Sequence, residues 1–149
     1  MTRLCIGTVQ FGMDYGVQGA THPAVEDAVR MLDYATQNGV DAIDTATAYG
    51  TAEDVVGEFL SRGTLPRDAV QVISKFGTNI FDGASAASYA ERLRTAAEAS
   101  LKRIRSDYLD AYICHVPTAT GDQAIIEAMA ALKESGLVTV SKKNGNLFD

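Results

Sequence analysis

The sequence predicts an α/β fold in which parallel strands alternate with helices. Short apolar runs of strand length alternate with longer segments of helical periodicity, and glycine or proline marks the breaks between them. A complete (β/α)8 barrel takes about 250 residues, or about 31 per unit. The 149 residues therefore hold about four βα units and the start of a fifth, which is half of a TIM barrel or a small open sheet.

Four apolar runs are predicted strands, and each is followed by a glycine or a polar residue. They span residues 4–6, 40–43, 70–74 and 108–114, and residues 137–140 begin a fifth. The segment after Gly7 is too rich in glycine to continue the first strand and is predicted to be a long loop. Residues 79–86 are predicted to be another loop.

Capping signals predict where the helices begin and end. Thr21 and Pro23 supply a cap and a first-turn proline for the first helix, which Gly39 ends. Thr51 is the predicted cap of the second helix. Ser88 with Glu91 is a capping-box signature for the third, and the last helix runs from its cap Asp122 to Gly136.

Composition favours a protein that acts on small molecules. A net charge of -6 and a pI near 4.8 argue against nucleic acid or an anionic membrane as partner, because both select for a basic surface. No apolar run approaches the roughly 20 residues that span a bilayer, and the N-terminus lacks a signal-peptide pattern. We expect a cytoplasmic protein.

Cysteine and histidine usage predicts neither a disulfide nor a metal site. Cys5 and Cys114 both fall in predicted strands, which favours buried, reduced thiols in a cytoplasmic protein over a disulfide or a reactive thiol. His22 and His115 are the only histidines, and no Cys/His pair has the spacing of a zinc site. His22 is predicted to lie on the surface where the first helix starts.

Four polar residues stand at or just beyond the ends of predicted strands. Asp44 and Tyr49 follow the second strand, Lys75 follows the third and His115 the fourth. In a barrel these ends share one rim, so the four side chains would converge. An ammonium beside a phenol favours the phenolate, a carboxylate can hold that ammonium, and an imidazole can orient a carbonyl oxygen. The set predicts a proton-relay site for a carbonyl and its alcohol.

Each of these residues also has a plain structural interpretation. Asp44 alone is compatible with a cap and Lys75 with a solvated charge, while Tyr49 could pack in its loop and His115 could be a satisfied core histidine. The same holds for five loop residues that could line an apolar pocket or pack locally: Phe11, Met13, Tyr15, Phe76 and Phe81.

The four residues and their surroundings resemble the aldo-keto reductase family. The segments that carry the resemblance are GTVQFGMDYGV, DAIDTATAYGTAEDVVGEFL, VISKFG and SLKRIRSDYLDAYICHVP, in that order. The resemblance implies residues 1–149 to be the N-terminal half of an NAD(P)-dependent oxidoreductase barrel.

The resemblance also implies a role for each site residue. Tyr49 would be the general acid in carbonyl reduction, Lys75 its ammonium partner, Asp44 the partner of Lys75, and His115 the residue that orients the substrate. NADPH or NADH would supply the hydride, with Gly7, Thr8 and Asp44 near the nicotinamide and ribose.

The family pattern stops at about Thr139, before the segments that would hold the rest of the dinucleotide. We therefore expect a truncated form with little or no activity alone. The alternatives are a non-catalytic half-barrel that binds or scaffolds and self-associates through its open sheet edges, and an unrelated small open α/β domain.

Overall fold

A computed structural model of the chain describes residues 4–116 and 122–139. The strands are β1 (Leu4–Gly7), β2 (Val40–Asp44), β3 (Gln71–Phe76) and β4 (Ala111–Cys114). The helices are α1 (Val9–Gly12), α2 (Val25–Gln37), α3 (Ala52–Ser61), α4 (Tyr89–Ile104) and α5 (Gln123–Glu134). Short 3-10 turns occupy Arg67–Ala69, Thr78–Phe81 and Ala86–Ser88.

The four strands form one parallel sheet in the order β1-β2-β3-β4, which confirms the predicted α/β repeats. Gly7 pairs with Asp44, and Asp44 pairs with Ile73 on the next strand. An isolated parallel bridge joins Leu109 to Val138, at the place predicted for a fifth strand. The last residue of that predicted strand, Val140, lies outside the described residues.

The core lies between the helices and one face of the sheet. Side chains of β3 alternate between full burial, as at Val72 and Phe76, and partial exposure, as at Ile73. On the other face of the sheet Cys5 is exposed and Ile113 is 40% exposed. Burial of the Cys5 thiol was therefore predicted wrongly, because its strand has helices against one face only.

One helix begins later than its capping signals predict, and another begins directly after Ser88 as predicted but without the predicted side-chain cap. The structure begins α2 at Val25, beyond Thr21 and Pro23. In the segment before the helix, the backbone N–H of His22 donates to Asp14 Oδ1 at 2.9 Å, and its ring nitrogen Nδ1 lies 2.6 Å from the same oxygen. The Ser88 hydroxyl donates to the Ser85 carbonyl instead of capping α4. The predicted capping box is therefore absent.

Two other caps behave differently from each other. Asp122 does cap α5, since its Oδ1 accepts from the backbone N–H groups of Ala124 and Ile125 at 2.9 and 3.4 Å. Thr51 precedes α3 as predicted, but its hydroxyl donates to the Gly12 carbonyl at 3.4 Å and caps nothing. That contact ties α3 to the short helix α1, which the sequence analysis had assigned to a loop.

Candidate active site

Asp44 and Lys75 form an ion pair across neighbouring strands. Asp44 is the last residue of β2, and Lys75 lies inside β3 instead of beyond it as predicted, because the strand continues to Phe76. The Lys75 ammonium donates to the Asp44 carboxylate and, at 3.0 Å, to the carbonyl oxygen of Thr45. Only 13% of the lysine side chain is exposed, so two acceptors hold a largely buried cation in one place.

Tyr49 lies in the loop between β2 and α3, directly over this lysine. The loop follows the edge of β3, since Thr45 N–H donates to the Ile73 carbonyl at 2.8 Å and Thr47 N–H to the Lys75 carbonyl at 3.0 Å. Lys75 Nζ lies 5.1 Å from the centroid of the Tyr49 ring. The Tyr49 hydroxyl makes no hydrogen bond to any residue within the described ranges.

Two glycines fix the path of the Tyr49 loop. A side chain at Gly12 would place its Cβ 2.1 Å from the Tyr49 carbonyl oxygen, and one at Gly50 would come within 2.2 Å of the Gly12 carbonyl oxygen. Gly50 also has a φ of +57, which L residues rarely adopt. The close approach of α1 to the loop therefore requires glycine at both positions, Gly12 in α1 and Gly50 in the loop. In the sequence, these two glycines were the only indication of the contact.

His115 completes the cluster from the end of β4. Its backbone N–H donates to the Phe76 carbonyl at 2.9 Å, which continues the pairing with β3. Its ring meets the ring of Tyr49 edge to face, with centroids 5.5 Å apart and planes at 88°. The structure thus brings together all four residues that sequence reasoning selected: Asp44, Tyr49, Lys75 and His115.

Three residues were predicted to lie near a nicotinamide cofactor: Gly7 ends β1, Thr8 directly follows it, and Asp44 ends β2. Gly7 is exposed, and no atom lies within 4 Å of the position that a Cβ would take there. Thr8 is fully buried, and both its N–H and its hydroxyl donate to the Asp44 carbonyl at 3.0 Å. The backbone of Gly7 therefore borders open space and the Asp44 side chain is 31% exposed, whereas Thr8 contacts the Asp44 backbone.

The aromatic residues proposed for a substrate pocket divide into two groups. Phe76 is fully buried, Phe81 is 6% exposed, and their rings pack together in the core with centroids 6.1 Å apart. Phe11 and Met13 are partly buried beside the Tyr49 loop, and Tyr15 is 58% exposed. Phe11 also packs against the core, so Met13 and Tyr15 are the members of the set that lie outside it.

Within the described residues, no three His, Cys, Asp or Glu side chains cluster as metal ligands do. Although Cys5 is exposed as a residue, partial desolvation raises the pKa of its thiol, and the nearby Asp44 carboxylate adds to that rise. Across the same part of the chain, every helix is too short or too polar to cross a membrane.

A sequence profile of the aldo/keto reductase family matches residues 3–140. The chain belongs to this family. Its relatives are oxidoreductases, among them the methylglyoxal reductase DkgA of Salmonella typhimurium, 31% identical over 91% of this chain and 46% of DkgA. The uncharacterized oxidoreductase YrpG of Bacillus subtilis is 29% identical over 93% of this chain and 44% of its own length.

Solved aldo-keto reductases share the fold. The Klebsiella pneumoniae aldo-keto reductase in complex with NADPH is 30% identical with a TM-score of 0.65, over 91% of this chain and 42% of that one. The chain therefore spans under half the length of these aldo-keto reductases, and its sheet corresponds to part of their barrel.

Proposed function

We propose that this chain carries the proton-transfer residues of an NAD(P)H-dependent reductase that converts an aldehyde or ketone to an alcohol. The observation that carries the proposal is the convergence of Asp44, Tyr49, Lys75 and His115 at the ends of three neighbouring strands. We assign residues 1–149 to the N-terminal half of the barrel. The free thiols of Cys5 and Cys114 favour a location in the reducing cytoplasm.

The geometry supports a distinct role for each side chain. The Tyr49 hydroxyl, which has no partner among the described residues, donates its proton to the carbonyl oxygen as negative charge develops there. Lys75 stabilises the phenolate left behind, and Asp44 keeps the ammonium in place. His115, against the edge of the Tyr49 ring, orients the carbonyl oxygen.

A nicotinamide cofactor would supply the hydride. The open space over Gly7, beside the Asp44 side chain, fits a group that must approach the backbone closely. NADPH is the cofactor in the Klebsiella pneumoniae relative. In this chain we assign Gly7 and Asp44 to direct contact, and Thr8 to holding the Asp44 backbone.

A fusion with a relative tests this proposal. We expect residues 1–139, joined to the C-terminal half of the Klebsiella pneumoniae enzyme, to oxidise NADPH in the presence of aldehydes. Tyr49→Phe, which removes only the hydroxyl, should lower turnover by about 10²- to 10⁴-fold. Tyr34→Phe is the matched control, because Tyr34 is 72% exposed on α2. Equal rates for the parent and Tyr49→Phe fusions would contradict the assignment.

A second candidate is a non-catalytic half-barrel that binds or scaffolds by self-association. This candidate is favoured because both edge strands of the sheet expose an apolar side chain: Leu4 on β1 is 51% exposed and Ile113 on β4 is 40% exposed. On either candidate we expect the 149-residue chain alone to show no saturable NADPH binding by fluorescence. If sedimentation reports a monomer at all concentrations, self-association is contradicted. If that monomer binds NADPH tightly, the expected inactivity of the chain alone is contradicted.

A further inference from the structure

A buried carboxylate that the proton-transfer site does not use lies in the first turn of α3. Glu53 is 1% exposed, and both of its carboxylate oxygens are occupied. Its Oε1 accepts from the Ser74 hydroxyl at 2.6 Å, and its Oε2 accepts from Nε and Nη2 of Arg103 at 2.7 and 2.6 Å. The carboxylate therefore joins α3 to both β3 and α4.

The hydrogen bonds continue from Arg103 to the fourth strand. Arg103 Nη2 donates to the Ser100 hydroxyl at 3.4 Å, and Ser100 Oγ lies 3.2 Å from the hydroxyl of Tyr112. Tyr112 belongs to β4 and is 4% exposed. We call these five residues the Glu53 network: Glu53, Ser74, Ser100, Arg103 and Tyr112.

The backbone is shaped to permit this network. Gly57 lies one turn beyond Glu53 on α3, and a Cβ there would come within 2.1 Å of the Arg103 carbonyl oxygen. Only glycine lets α4 approach so closely. That approach brings the Arg103 side chain to the Glu53 carboxylate.

Three residues of the Glu53 network adjoin segments that carry a site residue. Glu53 opens the helix that directly follows the Tyr49 loop, and Ser74 immediately precedes Lys75 on β3. Tyr112 lies on β4, the strand that His115 follows. The segments that carry the phenol, the ammonium and the imidazole are thus linked by one set of polar contacts, of which Arg103 is the partly exposed member.

We propose that Glu53 is a positioning residue that holds the Tyr49 loop, β3 and β4 in the register that the candidate site requires. An ion pair that buries its carboxylate is often no more stabilising than well-packed apolar residues, so its directional contacts are the property that distinguishes it. The proposal rests on the proposed function, because the register matters for catalysis only if the four residues act together.

Nuclear Overhauser effects in the 149-residue chain test this positioning without turnover. The parent should give cross-peaks between the rings of Tyr49 and His115, and between the Lys75 side chain and the Tyr49 ring. Glu53→Gln and Ser74→Ala should lose or weaken these cross-peaks. Glu58→Gln is the control, because Glu58 is on the same helix and pairs with Arg105 at the surface, and it should retain them.

The test can be decided even if one of the two variants fails to fold. Ser74→Ala deletes one hydroxyl and leaves the pair of Glu53 with Arg103, so it decides the question alone if Glu53→Gln fails to fold. Cross-peaks as strong in a folded Ser74→Ala or Glu53→Gln chain as in the parent would overturn the positioning role. A merely stabilising role would leave them unchanged below the unfolding transition.

A kinetic measurement links the inference to catalysis. In the fusion described above, Ser74→Ala should lower kcat by about tenfold with little change in KM, because misplaced catalytic groups slow the chemical step. If every fusion is inactive, the proposed function fails, while the cross-peaks still decide whether Glu53 positions the segments. If the parent fusion is active and Ser74→Ala matches it in kcat, the catalytic part of the inference is wrong.

Discussion

The ammonium of Lys75 lies over the face of the Tyr49 ring, with Nζ 5.1 Å from its centroid. This is within the range of a cation–π contact. The Asp44 carboxylate and the Thr45 carbonyl hold the ammonium from the β2 side, so its position does not depend on the tyrosine. The lysine is therefore prepositioned for a phenol that is carried by a loop.

This arrangement predicts unequal effects of removing the two charges. In the fusion, Lys75→Met should lower kcat by about 10²- to 10³-fold, because the phenolate would lose the ammonium that lies 5.1 Å from the centroid of its ring. Asp44→Asn should cost less, since the Thr45 carbonyl still accepts from the lysine. Lys102→Met, on the exposed side of α4, is the control. A larger loss of kcat in Asp44→Asn than in Lys75→Met would contradict this ranking.

Gly12 and Gly7 should respond differently to alanine. Gly12→Ala forces a Cβ against the Tyr49 carbonyl and should lower the free energy of unfolding by about 1–3 kcal/mol, measured by urea denaturation. Gly7→Ala meets no atom within 4 Å and should leave stability unchanged. In the fusion, however, Gly7→Ala should weaken NADPH binding. Destabilisation by Gly7→Ala would mean that its surroundings are not open.

Arg67 should be among the most sensitive residues for stability. Its guanidinium donates to Asp110 Oδ2 at 2.9 Å and lies 4.1 Å from the centroid of the Tyr108 ring, while Asp110 is 7% exposed. Arg67→Met should cost about 3 kcal/mol or more in urea denaturation, because it leaves a buried carboxylate without its cation. Arg94→Met breaks only an exposed pair with Glu98 and should cost under about 1 kcal/mol.

Because the phenol of Tyr112 is buried, we expect the protein to lose stability at high pH. Burial raises its pKa to about 12, above the ordinary value of 10, so the folded state favours the neutral phenol. The contribution of this neutral phenol to the free energy of unfolding should be complete below pH 10. It should decline as the pH rises toward 12, by about 3 kcal/mol in total. Urea denaturation across this range should show a weaker pH dependence in Tyr112→Phe than in the parent. Tyr34→Phe should match the parent.

Much of the fold was predictable because local pattern and tertiary structure agree. The strand ending at Asp44, the cap at Asp122 and the order of βα units all follow from periodicity and capping chemistry in single segments. The cap at Thr21 was predicted wrongly, whereas Ser88 does precede α4 but makes no capping hydrogen bond. Such bonds depend on where one side chain or backbone N–H finds its partner. His22 and Ser88 found theirs in Asp14 and Ser85.

The sequence allowed the four residues of the candidate site to be selected, but not the buried contacts beneath them. Asp44, Tyr49, Lys75 and His115 could be selected because parallel strands end on one rim, and the structure brings them together. Glu53 was not selected, because a glutamate in the first turn of a helix is ordinary in sequence. Its burial depends on Ser74 and Arg103, which are distant in the chain.

The amino-acid sequence by itself determined the alternation of strands and helices, the residues at the strand ends and the family resemblance, because these depend on short-range periodicity and spacing. The tertiary structure decided which side chains meet. It placed Phe76 and Phe81 in the core, turned Thr8 toward the Asp44 backbone and enclosed Glu53 between α3, α4 and β3. Burial and ion pairing are relations between distant segments, and therefore they exist only once the sheet and helices have packed.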